Sequence, residues 1–148
     1  MLEVWIDGAC EPINPRGTAS YGLVVKHNNK LLHSEGEIIG GGEGYSNNVA
    51  EYSGLIAFFN WYKENTYGYE ASIHSDSKLL IYQMNALWQI RGGLYVPYYL
   101  EATKLETELI NSGKLKDIKY HWIPREENWE ADNLSKQALI AIGIKPRH

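Results

Sequence analysis

Residues 40–59 read GGGEGYSNNVAEYSGLIAFF, and within this stretch the chain changes its period. Before it, apolar positions alternate: Val4 and Ile6 with Glu3 and Trp5, then Tyr21 to Lys26, then Leu31 to Ile39. That two-residue repeat belongs to strands. After the glycines, Val49, Tyr52, Leu55, Ile56 and Phe59 recur three and four apart, the repeat of a helix with one apolar side. Gly40, Gly41, Gly42 and Gly44 form the flexible connection, and Ser46 or Asn47 caps the helix.

Towards the N-terminal side, His27-Asn28-Asn29-Lys30 reads as a tight hairpin, because Asn tolerates positive φ. Glu11 to Gly17 is turn-rich, and Asp7-Gly8 closes the first strand, which puts Asp7 at a strand end. Towards the C-terminal side, Glu70 to His74 is a short strand broken by Ser75-Asp76-Ser77, and a helix with Leu79, Leu80, Tyr82 and Gln83 follows Asp76. Gly92-Gly93 is a hinge, and Pro97 opens a helix to about Ile110 with Leu100, Leu105 and Leu109 inward, closed by Asn111-Ser112-Gly113. Ile118 to Ile123 is a strand, Pro124 to Glu127 a loop, and Asn128 caps a last helix with Asp132, Leu134, Ala138 and Leu139. The order βββαβααβα implies a mixed sheet, antiparallel at first and parallel later, covered by helices.

A length of 148 residues suits one domain, 1–148, with Ile142 to His148 expected either as a flexible tail or as a short edge contact. Hydrophobic residues at 44% and charged residues at 22% exclude wholesale disorder. A net charge of −4 argues against binding nucleic acid through a broad basic surface, although ions held by carboxylates invert the field locally. Cys10 is the only cysteine, so no internal disulfide forms and a reducing, cytoplasmic setting is expected. Residues 1–7 do not read as a signal peptide, and no apolar run approaches the roughly 18 residues of a membrane span. A monomer is expected.

Asp7, Glu51, Asp76 and Asp132 all lie where strands finish or helices begin, and such ends meet at one edge of an α/β sheet. Four converging carboxylates would repel one another unless divalent ions neutralised them. Mg²⁺ suits oxygen ligands of this kind and Mn²⁺ should substitute, whereas one cysteine and five scattered histidines offer no thiolate or imidazole set. Taken singly, each acid reads as a turn, a cap or a solvated helix residue.

The wording around the four decides between these readings. Asp7-Gly8-Ala9-Cys10, Ser46-Asn47-Asn48-Val49-Ala50-Glu51, His74-Ser75-Asp76-Ser77 and Asn128-Trp129-Glu130-Ala131-Asp132 stand in the order and element context of the type 1 ribonuclease H family, which the chain resembles from Leu2 to about Leu139. The resemblance implies a five-stranded mixed sheet in the order 3-2-1-4-5, with strand 2 antiparallel and helices on its flanks. It also implies endonucleolytic cleavage of the RNA strand of an RNA–DNA hybrid, leaving 5′-phosphate and 3′-hydroxyl ends. Two ions about 4 Å apart would act, one activating water and one stabilising the leaving oxygen. Asp7 would bridge them, Asp132 complete the water-activating site, and Glu51 and Asp76 hold the other ion. Gly8, Cys10, Asn14, Asn47 and Asn48 would contact 2′-hydroxyls, through backbone or amide groups. Ser46 would bind a phosphate of the other strand, and Ser77 belongs to the same substrate-binding set.

Two departures place the chain closest to the compact archaeal-type members. Between Met84 and Tyr99 there is no lysine-rich basic protrusion, only Asn85 to Gly93 with Arg91, so hybrid affinity is expected to be weaker and more dependent on salt and metal. Trp88 and Tyr95 either pack the helix junction or stack on bases, with packing favoured. In the loop before the last helix, Pro124-Arg125-Glu126-Glu127 puts Arg125 where many members carry a histidine. Arginine cannot serve as a base near neutrality but holds phosphate and stabilises developing charge. Glu126 or Glu127 either relays a proton or hydrates the loop. Members with this loop can also cut double-stranded RNA, which extends the expected substrate range.

A proofreading exonuclease would carry Asp-x-Glu in its first strand, and Asp7-Gly8-Ala9 does not. An integrase core would bring further DNA-binding domains. The alternative from another class is a catalytically silent hybrid-binding module of the same fold.

Overall fold

The computed structural model describes residues 1–65 and 68–147. Strands β1 (Leu2–Glu11), β2 (Thr18–His27) and β3 (Lys30–Gly41) precede helix α1 (Asn47–Asn65), then β4 (Tyr69–Ser75). Helices α2 (Lys78–Met84) and α3 (Val96–Asn111), strand β5 (Leu115–Trp122), a 3₁₀ turn at Arg125–Asn128 and helix α4 (Trp129–Ala141) complete the chain. The sheet order is β3-β2-β1-β4-β5, with β2 antiparallel to β1 and β3, and β4 parallel to β1 and β5. This is the expected mixed sheet.

The hairpin between β2 and β3 turns on Asn28 (φ 53°) and Asn29 (φ 65°), both left-handed, as the two asparagines predict. Alternation on β1 and β2 sets the two faces of the sheet. Leu2, Val4, Ile6, Leu23 and Val25 point to one side, where Val49, Tyr52, Leu55, Phe58 and Phe59 of α1 are buried against them. Ser20 points to the other, where its hydroxyl donates to the Ser135 carbonyl of α4 at 2.9 Å. Helix α1 is buried around most of its girth because α3 covers the side that the sheet leaves open, with Tyr99 set edge-on to Tyr52 at 5.8 Å.

Three local expectations are corrected. Leu100 is 58% exposed, because Ala102, Leu105 and Leu109 set the inward stripe of α3 and Leu100 falls off it. Asp7 does not end its strand. It pairs with Gly22 in the middle of β1, and the ladder continues to Glu11 opposite Thr18. Asn128 stands at the N-cap position of α4 but gives no side-chain cap. Its amide is engaged at the sheet instead.

Candidate active site

The parallel ladder between β1 and β4 runs from Leu2 opposite Ala71 to Trp5 opposite His74 and stops there, while β1 stays paired to β2 for six residues more, to Glu11. Beyond Trp5 the two central strands part. Such a gap, at the carboxyl ends of parallel strands where the chain order reverses, is where α/β folds place ligands. The Ile6 carbonyl loses its sheet partner at this point and accepts from Asn128 Nδ2 at 2.8 Å. Asp7 follows immediately.

Glu51 reaches the gap from α1 because the helix can come close to β1. A Cβ on Gly8 would lie 2.5 Å from the Glu51 nitrogen and 2.8 Å from the Ala50 carbonyl carbon. Any larger residue at position 8 would push the helix away. On the opposite face, a Cβ on Gly22 would lie 1.9 Å from the Ala131 carbonyl oxygen, so glycine opposite Asp7 brings in α4 and with it Asp132. Asp76 stands just past β4, before Ser77, whose hydroxyl caps α2 by accepting from the Leu80 amide at 3.2 Å.

Asp7, Glu51 and Asp76 each offer a carboxylate oxygen within 4.8 Å of the others, a group that can hold a metal ion. Asp132 lies outside that triad but lines the same cleft, where its Oδ2 accepts from Lys136 Nζ at 2.9 Å. Burial pushes the Asp7 carboxyl up to about 11, and the charges of Glu51, Asp76 and Asp132 add to the rise. Glu51, 3% exposed, is likewise held well above the usual carboxylate range, by burial first and by Asp76 second, against hydrogen bonds from the Gly8 amide and the Ser75 hydroxyl. Glu51 Oε2 has no hydrogen-bond partner among the described residues. A buried carboxylate oxygen without a donor is costly, and a divalent cation satisfies it and its neighbours together. The oxygen-only donor set matches hard ions.

Of the other expected site residues, Gly8, Cys10, Asn14, Asn47, Ser77 and Arg125 line this cleft, and Ser46 and Asn48 do not. Ser46 caps α1 by accepting from the Val49 amide at 3.2 Å, and Asn14 Oδ1 accepts from the Asn47 amide at 2.9 Å, so the turn after β1 is pinned to the start of α1. Tyr95 is buried at the helix junction, its hydroxyl accepting from Gln83 Nε2 at 3.0 Å, whereas Trp88 stays 46% exposed, edge-on to Tyr82. His74 is stacked between Trp5 and His121 and bonded to Glu3 Oε2 at 2.6 Å, on the sheet and away from the triad.

Lys136, Glu11 and Arg147 escaped the sequence reading as cleft residues, and Asn128 was read only as a helix cap within its motif. Asn128 also reaches Asp76 Oδ1, at 3.5 Å, so one side chain replaces a sheet bond and steadies a site carboxylate. Lys136 follows Asp132 by four residues on one helix, a spacing at which a lysine and an aspartate meet. Glu11 and Arg147 also line the cleft. Nothing in their local sequence pairs two residues so far apart. The segment after α4 thus makes a contact, through Arg147 Nε and Glu11 Oε1 at 2.6 Å; His148 lies outside the described residues.

No helix among the described residues is long and apolar enough to cross a membrane. The reverse transcriptase-like family model matches residues 6–138. Among curated proteins, the bifunctional protein Rv2228c of Mycobacterium tuberculosis is 35% identical over 131 residues, which is 86% of this chain and 33% of that protein. The chain thus spans about a third of the length of the curated relatives it matches. The solved N-terminal RNase H domain of Rv2228c is 31% identical at a TM-score of 0.77, covering 93% of this chain and 97% of that one. RNase H1 of the halophilic archaeon Halobacterium salinarum is 25% identical at 0.81, covering 95% and 98%. LC11-RNase H1, solved in complex with an RNA/DNA hybrid, shares the fold at 0.83 with 23% identity, covering 96% and 99%. With the family model spanning most of its length and the sheet order 3-2-1-4-5 in place, the chain belongs to the reverse transcriptase-like family and shares the fold of the type 1 ribonucleases H.

Proposed function

We propose that this protein is an endoribonuclease that hydrolyses the RNA strand of RNA–DNA hybrids, leaving 5′-phosphate and 3′-hydroxyl ends, with double-stranded RNA as a second substrate. The observation that carries this reading is the triad of Asp7, Glu51 and Asp76 within 4.8 Å, with Glu51 Oε2 buried and unpartnered, at the point where β1 and β4 part. A non-catalytic binding module has no need for two buried acids beside a third, with one carboxylate oxygen left unpartnered.

Asp7, Glu51, Asp76 and Asp132 would hold two Mg²⁺ ions, with Mn²⁺ as substitute, and these supply an activated water and charge neutralisation at the cleaved phosphate. Asn128 keeps the Asp76 carboxylate turned into the cleft. Asn14 and Asn47 line one wall of it, pinned together by the Asn47 backbone amide on Asn14 Oδ1, and their remaining side-chain amide groups are the short polar groups that would read a ribose 2′-hydroxyl. Arg125, on the 3₁₀ turn, lines the cleft with a guanidinium that would stabilise negative charge on the phosphate. The hybrid is the match for this wall, since a DNA duplex has no 2′-hydroxyl to offer.

A labelled RNA–DNA hybrid incubated with Mg²⁺, beside the same sequence as DNA duplex and as double-stranded RNA, tests the reading. Hybrid cleavage that EDTA abolishes, with ends ligatable as 5′-phosphates, is expected. Hybrid binding without turnover in Mg²⁺ or Mn²⁺ would favour the silent module.

A further inference from the structure

Arg147 donates from Nε to Glu11 Oε1 at 2.6 Å and from Nη2 to the Cys10 carbonyl at 2.9 Å. Those bonds use two of the five guanidinium N–H groups. The other three have no protein acceptor among the described residues, and Arg147 lines the same cleft as the acidic triad. Glu11 holds it from below: the Glu11 side chain is 8% exposed and that of Arg147 is 46% exposed, so a buried carboxylate anchors a half-open cation. Cys10 Sγ donates to the Ile13 carbonyl at 3.2 Å and Asn14 Oδ1 accepts from the Asn47 amide, which fixes the turn beneath Arg147. A fork held this way loses little freedom when it takes a second anion.

We infer that Arg147 is a substrate-binding residue that grips a backbone phosphate of the strand lying over the Cys10–Asn14 turn, with Glu11 as its positioning residue. This rests on the nucleic-acid reading of the cleft above. Of the cations that line the cleft, Lys136 is engaged by Asp132 and Arg125 stands on the 3₁₀ turn, so Arg147 is the one set on the end of β1. In a chain with net charge −4 and no lysine-rich protrusion, one such contact is a large share of the phosphate grip.

The test compares wild type, Arg147→Gln, Arg147→Lys and Lys145→Ala, the last an exposed cation of the same segment that does not line the cleft. Gln keeps a donor for Glu11 and removes the charge, so folding is retained and is checked by thermal melting. Anisotropy with a labelled hybrid in EDTA, and Mg²⁺ cleavage kinetics, are recorded over a salt series. Arg147→Gln should weaken binding about ten-fold, lower the slope of log K against log salt by about 1 and raise KM with kcat held. Arg147→Lys should retain the slope, and Lys145→Ala should match wild type. An Arg147→Gln protein with wild-type slope and KM but a lower melting temperature would make Arg147 a tether only and overturn the inference. Failure of the wild type to bind or cut hybrid would overturn the reading of the cleft as well.

Discussion

Asp7 is the residue on which the site turns. Burial and the neighbouring acids raise its carboxyl, which must give up its proton to accept an ion, so Asp7→Asn removes the ligand together with the cost of burying an ionisable group. Hybrid cleavage should fall by at least on the order of a hundred-fold, the loss typical even of outer-shell changes at metal sites, while the metal-free melting temperature at pH 8 rises. Cleavage that survived this change would sink the two-metal assignment. Asn128 is the second residue to probe. Replacing it with alanine strands the buried Ile6 carbonyl and loosens Asp76, at a cost of about 1–3 kcal/mol in stability. Denaturant melts should show that cost, and Mg²⁺ titration of activity a right shift of about 10–100-fold. An Asn128→Ala protein with unchanged Mg²⁺ dependence would limit its role to the sheet.

At the scale of elements, the site depends on how closely two helices approach one strand. Gly8 admits α1 and Gly22 admits α4, from opposite faces. Gly8→Ala should therefore displace α1 and carry Glu51 away from Asp7, with a stability loss of about 1–3 kcal/mol from overpacking and a larger proportional loss of Mg²⁺-dependent activity. Denaturant melts and cleavage assays on the same sample separate the two effects, and an active Gly8→Ala enzyme would show that the helix shifts along its axis instead. Much at this scale was legible beforehand. The period change at residues 40–59 located the crossover, and the Asn28-Asn29 turn and the α3 start followed from residue chemistry. Asp7 was misplaced because alternation fades where side chains begin to line the cleft rather than the core. Leu100 was misplaced because one leucine does not reveal the phase of a stripe that Ala102, Leu105 and Leu109 set.

For the molecule as a whole, the buried acids make stability depend on pH and on metal. An unfolded chain releases the Asp7 proton near the ordinary value of 3.8, while the folded metal-free protein holds it up to about 11. Between those values the unfolded state binds fewer protons, so stability falls as pH rises, and Glu51 acts in the same direction. The metal-free melting temperature should be lower at pH 8 than at pH 5. Mg²⁺ at about a hundred times its dissociation constant should restore about 2.7 kcal/mol, and more of the shift should appear at pH 8, where its ligands give up protons readily. A metal-free melting temperature that rises from pH 5 to pH 8, or an Mg²⁺ shift equal at both, would contradict this.

The amino-acid sequence by itself determined the element order, the sheet class and the four acids, because periodicity, turn chemistry and the wording around each acid are local. Only the tertiary structure decided which groups share the cleft. The parting of β1 and β4 after Trp5, the diversion of Asn128 from helix cap to sheet, and the docking of Arg147 on Glu11 all join residues distant in the chain. Contacts of that kind are set by ladder length and helix approach, which no local pattern encodes.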